Sequence, residues 1–132
     1  MRKGKRLNLG QQIFAMQNYF PGLKYCRGKD GPTWRGVLKP REKSPEYTVK
    51  MVYKEKTIPK VWIVSPKIDY APHRYFDQSL CLYYPDDRSW TSDLFLAETI
   101  VPWTAEWLAF YEIWYVTGIW YGDEVPHNGK KK

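Results

Sequence analysis

A single thiol, Cys81, stands between Leu80 and Leu82, eight residues after His73 and five and six residues before Asp86 and Asp87. All four positions fall in or beside turn-rich sequence, where functional groups concentrate. These residue types suit acyl transfer. A thiolate attacks an activated carbonyl, and the thioester it forms stays reactive toward amines. A nearby carboxylate can take the proton from an attacking lysine amine. Between two leucines, however, a cysteine is usually only a small buried hydrophobe.

Other chemistries are poorly served. Cys26 has no histidine or carboxylate beside it and reads as structural. Cys26, His73, Cys81 and His127 do not form metal-ligand spacing, because Cys-x-x-Cys and His-x-x-x-His are both absent. Neither a phosphate-binding loop nor a dinucleotide fingerprint is present, so no cofactor is expected.

The elements that must hold such a site follow from periodicity. Leu9, Ile13, Met16 and Phe20 recur at helical spacing, and Pro21-Gly22 ends that helix. Gly28 to Pro32 reads as a loop, and Trp34 to Leu38 as a first strand. Tyr47, Val49, Met51 and Tyr53 alternate with polar residues, the pattern of a half-buried strand. Val61 to Val64 makes a third strand, so an antiparallel meander is expected. Asp69 to Gln78 reads as loop. Thr91 or Ser92 is expected to cap a helix through Leu94, Leu96 and Ile100. Pro102 then opens a second helix that carries Trp103, Trp107, Leu108, Tyr111, Trp114 and Tyr115 and ends at Gly118. The layout is α+β, with an N-terminal helix, a β-meander, a loop with the cysteine, and C-terminal helices.

The chain has 132 residues, enough for one domain, with basic ends at about 1–6 and 123–132. Its net charge of +7 suits an acidic partner, a nucleic acid or an anionic surface. Much of that charge sits in Arg2, Lys3, Lys5, Arg6, Lys130, Lys131 and Lys132, where basic tails are usually just solvated. Nucleic-acid binding therefore rests on charge and aromatics alone. No apolar run is long enough to cross a membrane, and no signal-peptide core is visible. Two cysteines make no disulfide framework, so a cytoplasmic protein is expected.

The order of landmarks resembles the ubiquitin-conjugating (UBC) enzymes, over roughly Leu9 to Tyr121. In that family a histidine opens a His-Pro-Asn motif, and the acceptor thiol follows in an Ile-Cys-Leu or Leu-Cys-Leu context. Here these places are taken by His73 and by Leu80-Cys81-Leu82. Ile58-Pro59, Ser65-Pro66 and Trp90 are similar to the family's flanking prolines and its later tryptophan. The pattern His73-x-Tyr75 with Leu80 to Pro85 resembles more closely the conjugating-enzyme-like proteins of bacterial CBASS antiphage operons. So do Pro102-Trp103, Trp107-Leu108, Tyr111-Glu112-x-Trp114, Thr117-Gly118-x-Trp120-x-Gly122 and His127.

The resemblance implies a partner, a CD-NTase. This cGAS-like synthase makes a cyclic-nucleotide alarm signal, and its flexible C-terminus behaves like a ubiquitin tail. Cys81 would carry that tail as a thioester and pass it to an amine. A separate activating enzyme would load Cys81, or the protein would work without one, as in compact operons. His73 would hold the loop, Asp86 or Asp87 would orient the amine, and Trp90 would pack beneath the loop. The family's asparagine, credited with stabilising the oxyanion, is missing between His73 and Cys81. Tyr75 or backbone amides near Cys81 would substitute. A catalytically inactive UBC-like module that only recruits the synthase is the alternative.

Overall fold

The computed structural model describes residues 6–54, 57–82 and 90–122. Asp86, Asp87 and His127 lie outside the described residues, as does most of the basic charge at the two ends. The order is α1 (Leu9–Tyr19), β1 (Lys24–Gly28), β2 (Gly31–Leu38), β3 (Tyr47–Val52), β4 (Lys60–Ser65), a 3-10 turn (Leu96–Glu98) and α2 (Ile100–Thr117). The strands form one antiparallel sheet in sequence order. The α+β class and the meander are as the sequence indicates.

The sheet has one strand more than the periodicity suggested. Residues Lys24 to Gly28, given no element by that periodicity, pair with Gly31 to Arg35, so the expected Gly28 to Pro32 loop is reduced to a tight turn between two strands. Gly31 supplies the positive φ (124°) that the turn requires. As an edge strand β1 is mostly exposed, so it lacks the apolar alternation that marks a strand. Cys26 lies on it and is exposed, not the structural thiol expected from the sequence.

Helix α1 starts where the capping chemistry dictates. Asn8 accepts from the Gln11 N–H at 2.8 Å, and the Gln11 side chain accepts from the Asn8 N–H at 2.9 Å. This reciprocal pair satisfies two N–H groups that a helix start leaves open. The buried face carries Ala15, Met16 and, with no exposure at all, Gln12. In the sequence Gln12 looks like a polar interruption. In the fold its amide donates to the Leu94 carbonyl (2.9 Å) and accepts from the Leu96 N–H (2.9 Å). It thereby stitches α1 to the strand-free segment ahead of α2 and satisfies backbone groups the core would otherwise strand.

The expected helix from Thr91 shrinks to one 3-10 turn without a side-chain cap. The Thr91 hydroxyl bonds Asp93 instead, and the Thr91 carbonyl accepts from Leu94 in a turn. Local side-chain bonding of this kind competes with helix. Helix α2 begins at Ile100, ahead of Pro102. Pro102 is the third helical residue, where N–H groups have no intrahelical acceptor, so the missing donor costs nothing. Gly118 ends α2 in the left-handed region (φ 79°), its N–H bonding the Trp114 carbonyl at 2.7 Å.

One face of the sheet, through Trp34, Val49, Met51 and Val61, joins Met16, Leu80, Leu82, Leu96, Ile100, Val101 and Leu108 in a single core. Trp90 is buried in that core. Its ring meets Tyr53 edge-on at 5.6 Å, and its indole N–H reaches the Thr99 hydroxyl at 3.2 Å. A second tie joins the β2–β3 turn to α2. Arg41, Ser44 and Tyr47 all bond the Glu112 carboxylate. Burial pushes that carboxyl up, but the bonds from Arg41, Tyr47 and Ser44 outweigh it, and its pKa lies below the ordinary value.

Gly36 on β2 is where the sheet is tightest. A Cβ there would stand 2.2 Å from the Gly22 carbonyl oxygen and 2.9 Å from the Leu23 Cα, both backbone atoms that cannot swing aside. Gly36→Ala is expected to destabilise the fold on the order of 2–3 kcal/mol, read from the urea midpoint. Gly22→Ala, with nothing within 4 Å of its Cβ, is the matched control and stays near wild type. Equal midpoints for the two variants would remove the steric account.

Candidate active site

Between β4 and Trp90 the chain folds back on itself as a small hairpin from His73 to Cys81. Arg74 and Leu80 form an isolated antiparallel bridge, the Cys81 N–H donates to the His73 carbonyl (2.9 Å), and the Tyr75 N–H donates to the Ser79 carbonyl (2.8 Å). The turn needs left-handed backbone at Gln78 (φ 74°), and the entry needs it at His73 (φ 61°). Neither residue is glycine, so each conformation costs of order 1 kcal/mol and persists only because neighbours fix it.

Asp77 supplies much of that fixing. Its Oδ1 accepts from the Ser79 N–H (3.0 Å) and hydroxyl (2.6 Å), its Oδ2 accepts from Lys60 Nζ (2.6 Å), and its carbonyl accepts from the Trp62 indole (3.0 Å). The hairpin is further tied to β4 by the Leu80 N–H on the Val61 carbonyl (2.8 Å). On the other side, the Trp107 indole of α2 donates to the His73 carbonyl at 3.1 Å. The His73 ring packs 4.7 Å from Trp120, which in turn lies 5.4 Å from Trp107. The aromatic run of α2 is thus partly core and partly a clamp on this hairpin.

Cys81 is 3% exposed. The Tyr75 hydroxyl hydrogen-bonds its thiol side chain. Burial, followed by that bond and the negative charge of the thiolate form, pushes the Tyr75 hydroxyl well above the ordinary phenol range, so it keeps its proton and remains a donor. Phe76 at the hairpin tip is wholly exposed. An open cleft of about 600 Å³ runs beside the hairpin, lined by Val52, Thr57, Ile58, Lys60, Trp62 and Asp77 among others.

Of the residues the sequence singled out, the structure brings His73, Tyr75 and Cys81 together. His73 joins through its backbone carbonyl and its packing against Trp120. Asp77, Ser79, Lys60 and Trp62 were not singled out, and Trp107 was read only as a residue of the C-terminal helix and of the family pattern. Asp77-x-Ser79 was the available signal, since an aspartate bonding a backbone N–H two residues on is a common turn device. The other partners come from β4 and α2 and have no local signature. No group of three metal-ligating side chains occurs among the described residues, and no described helix is long and apolar enough to cross a membrane.

Asp77 also gives a pH signature. Bonds from Lys60 and Ser79 hold its carboxyl down to about 2. A depressed folded pKa stabilises above the unfolded carboxylate range, near 4, and that contribution is lost as pH falls through the folded value. Hairpin protection in hydrogen exchange is expected to hold at pH 5 and to fall between about pH 4 and 2. Asp77→Asn should flatten that step. A step of unchanged size in the variant would assign it to another group.

None of the curated proteins matches the chain. Residues 12–128, nearly the whole sequence, match the family described as "Type II CBASS E2 protein", E2-CBASS. The matched span takes in α1 from Gln12 onward, the complete sheet, the Cys81 hairpin and α2. The chain therefore belongs to the family of type II CBASS E2 proteins, an E2-like component of that system.

Proposed function

We propose that this protein is a cysteine-dependent acyl carrier with a UBC-type fold, working on the C-terminus of a CD-NTase. The observation that carries the reading is the Tyr75 hydroxyl bonded to Cys81 within a hairpin fixed from both sides. Cys81 Sγ, as thiolate, attacks the carbonyl carbon of a C-terminal glycyl thioester. The tetrahedral oxyanion collapses, the previous carrier's thiolate leaves, and the tail is held on Cys81. A target lysine amine then attacks that carbonyl, loses a proton, and releases the Cys81 thiolate with an amide formed. Tyr75 is a proton donor bonded to the reacting sulfur and supplies the stabilisation credited elsewhere to an asparagine. His73 holds the loop. Asp86 or Asp87 receives the amine proton or orients the amine.

The cleft beside the hairpin gives an extended tail a place to lie, lined by Ile58 and Trp62 and reaching Asp77. The thiol is almost fully covered, so loading requires Tyr75 to move or the tail to displace it. That burial also supports the second reading, an inactive module that binds the synthase without chemistry.

The test is to incubate the protein with a CD-NTase in a loaded state and map the adduct. A linkage dissolved by thiol reductant or hydroxylamine, and located at Cys81 by peptide mapping, is the expected result. A bound synthase with no covalent linkage, together with a native Cys81 that fails to label with thiol probes, selects the binding module.

A further inference from the structure

The register of the sheet places three cations in one row on its outer face. Lys24 of β1 stands opposite Arg35 of β2, Arg35 opposite Lys50 of β3, and Lys50 opposite Trp62 of β4. The residues beside them, Tyr25, Trp34, Met51 and Val61, form the matching row on the inner, buried face. Neighbouring strands are about 4.8 Å apart, and like charges directly opposite destabilise a sheet. Among the described residues no carboxylate pairs with the row, the ion pairs being Arg41–Glu112, Lys60–Asp77 and Lys67–Asp69. Lys50 has only the Trp62 ring, 5.7 Å from its ammonium. Arg35 and Lys24 are exposed.

The row does not end in solvent. Trp62 donates its indole N–H to the Asp77 carbonyl, so its last member touches the hairpin that carries Tyr75 and leads to Cys81. We infer that this row is a docking surface for an acidic face of a partner protein, which the fold keeps at a cost in its own stability. Charge complementarity names the chemistry, since aligned ammonium and guanidinium groups pair with carboxylates. A protein surface fits better than a nucleic acid. The row offers one aromatic ring, half-buried and with the Lys50 ammonium over it, where base stacking needs open rings. Val37, two residues after Arg35 on the same face, adds an exposed apolar contact. This deepens the thioester reading, on which it rests for the partner's identity alone: the row holds the body of the protein whose tail Cys81 carries.

The experiment uses the full chain, a fluorescent poly-glutamate peptide of about 20 residues and a poly-dT oligonucleotide of similar length, at low salt. Arg35→Glu turns two like-charge neighbours into two opposite-charge pairs. It should raise the melting temperature by about 2–6 °C and weaken poly-glutamate binding about tenfold. The triple reversal K24E/R35E/K50E should abolish binding, while K130E/K131E/K132E, with the same change in net charge, should retain most of it. Cys81→Ala should bind like wild type, so failure of the thiol chemistry leaves this result intact. Equal losses in the two triple variants, or an Arg35→Glu protein with unchanged melting and unchanged binding, would overturn the surface. Tighter binding of the oligonucleotide, lost in the row variant, would overturn the protein partner.

Discussion

Cys81→Ala is expected to abolish the adduct with the loaded synthase, and Cys81→Ser to replace it with one that survives thiol reductant. The physical basis is the leaving group and the nucleophile. A thiolate is available in useful amounts near neutral pH, whereas a serine hydroxyl is not, so serine attacks slowly. Once formed, the serine ester resists both thiols and amines, so it accumulates where the thioester would turn over. The side chain at 81 is buried and its backbone N–H is fixed to the His73 carbonyl, so neither substitution moves the hairpin. Alanine leaves a small gap in the core and serine adds a hydroxyl that Tyr75 can still bond. Both variants should fold, which far-UV and near-UV dichroism can verify. An identical adduct from wild type and Cys81→Ala would remove the nucleophile from the mechanism.

Tyr75→Phe is expected to slow acyl transfer about 100-fold, about 2.7 kcal/mol of lost transition-state stabilisation. The ring and its packing stay, and only the hydroxyl bonded to Cys81 is removed. The thiolate and the oxyanion that forms beside it then lose a donor held in a partly desolvated place. The thiolate loses its bonded donor, so the pH profile of Cys81 labelling should move toward higher pH. Global stability should change little, because the hairpin is held by Asp77, Trp107 and Val61 and not by this hydroxyl. A variant that transfers at the wild-type rate with an unmoved labelling profile would show that Tyr75 merely covers the sulfur. Faster labelling at every pH would make it a gate.

Much of the framework was legible because it rests on local rules. The helical spacing of Leu9, Ile13 and Met16, the alternation of β3 and the glycine stop at Gly118 each follow from a few neighbouring residues. The misreadings share one cause. β1 is an exposed edge whose order comes from pairing with β2, so its own residues do not announce it. The segment from Thr91 has helix-capping residues, but their side chains are consumed in a local turn and in a bond from Arg6 to Ser92. The role of Gln12 was not legible at all, because its partners, Leu94 and Leu96, lie more than eighty residues away.

By itself the sequence determined the local chemistry: a thiol between leucines, a histidine ahead of it, and a tyrosine two residues after that histidine. These are covalent facts and need no fold. Whether Cys81 was core or nucleophile could not be decided there, since burial and hydrogen bonding are properties of distant contacts. Only the tertiary structure set Tyr75 on the Cys81 sulfur, because the hairpin depends on Lys60 and Trp62 from β4 and on Trp107 from α2. The row of cations had the same origin. Lys24, Arg35 and Lys50 are unremarkable along the chain and become a surface only through strand register.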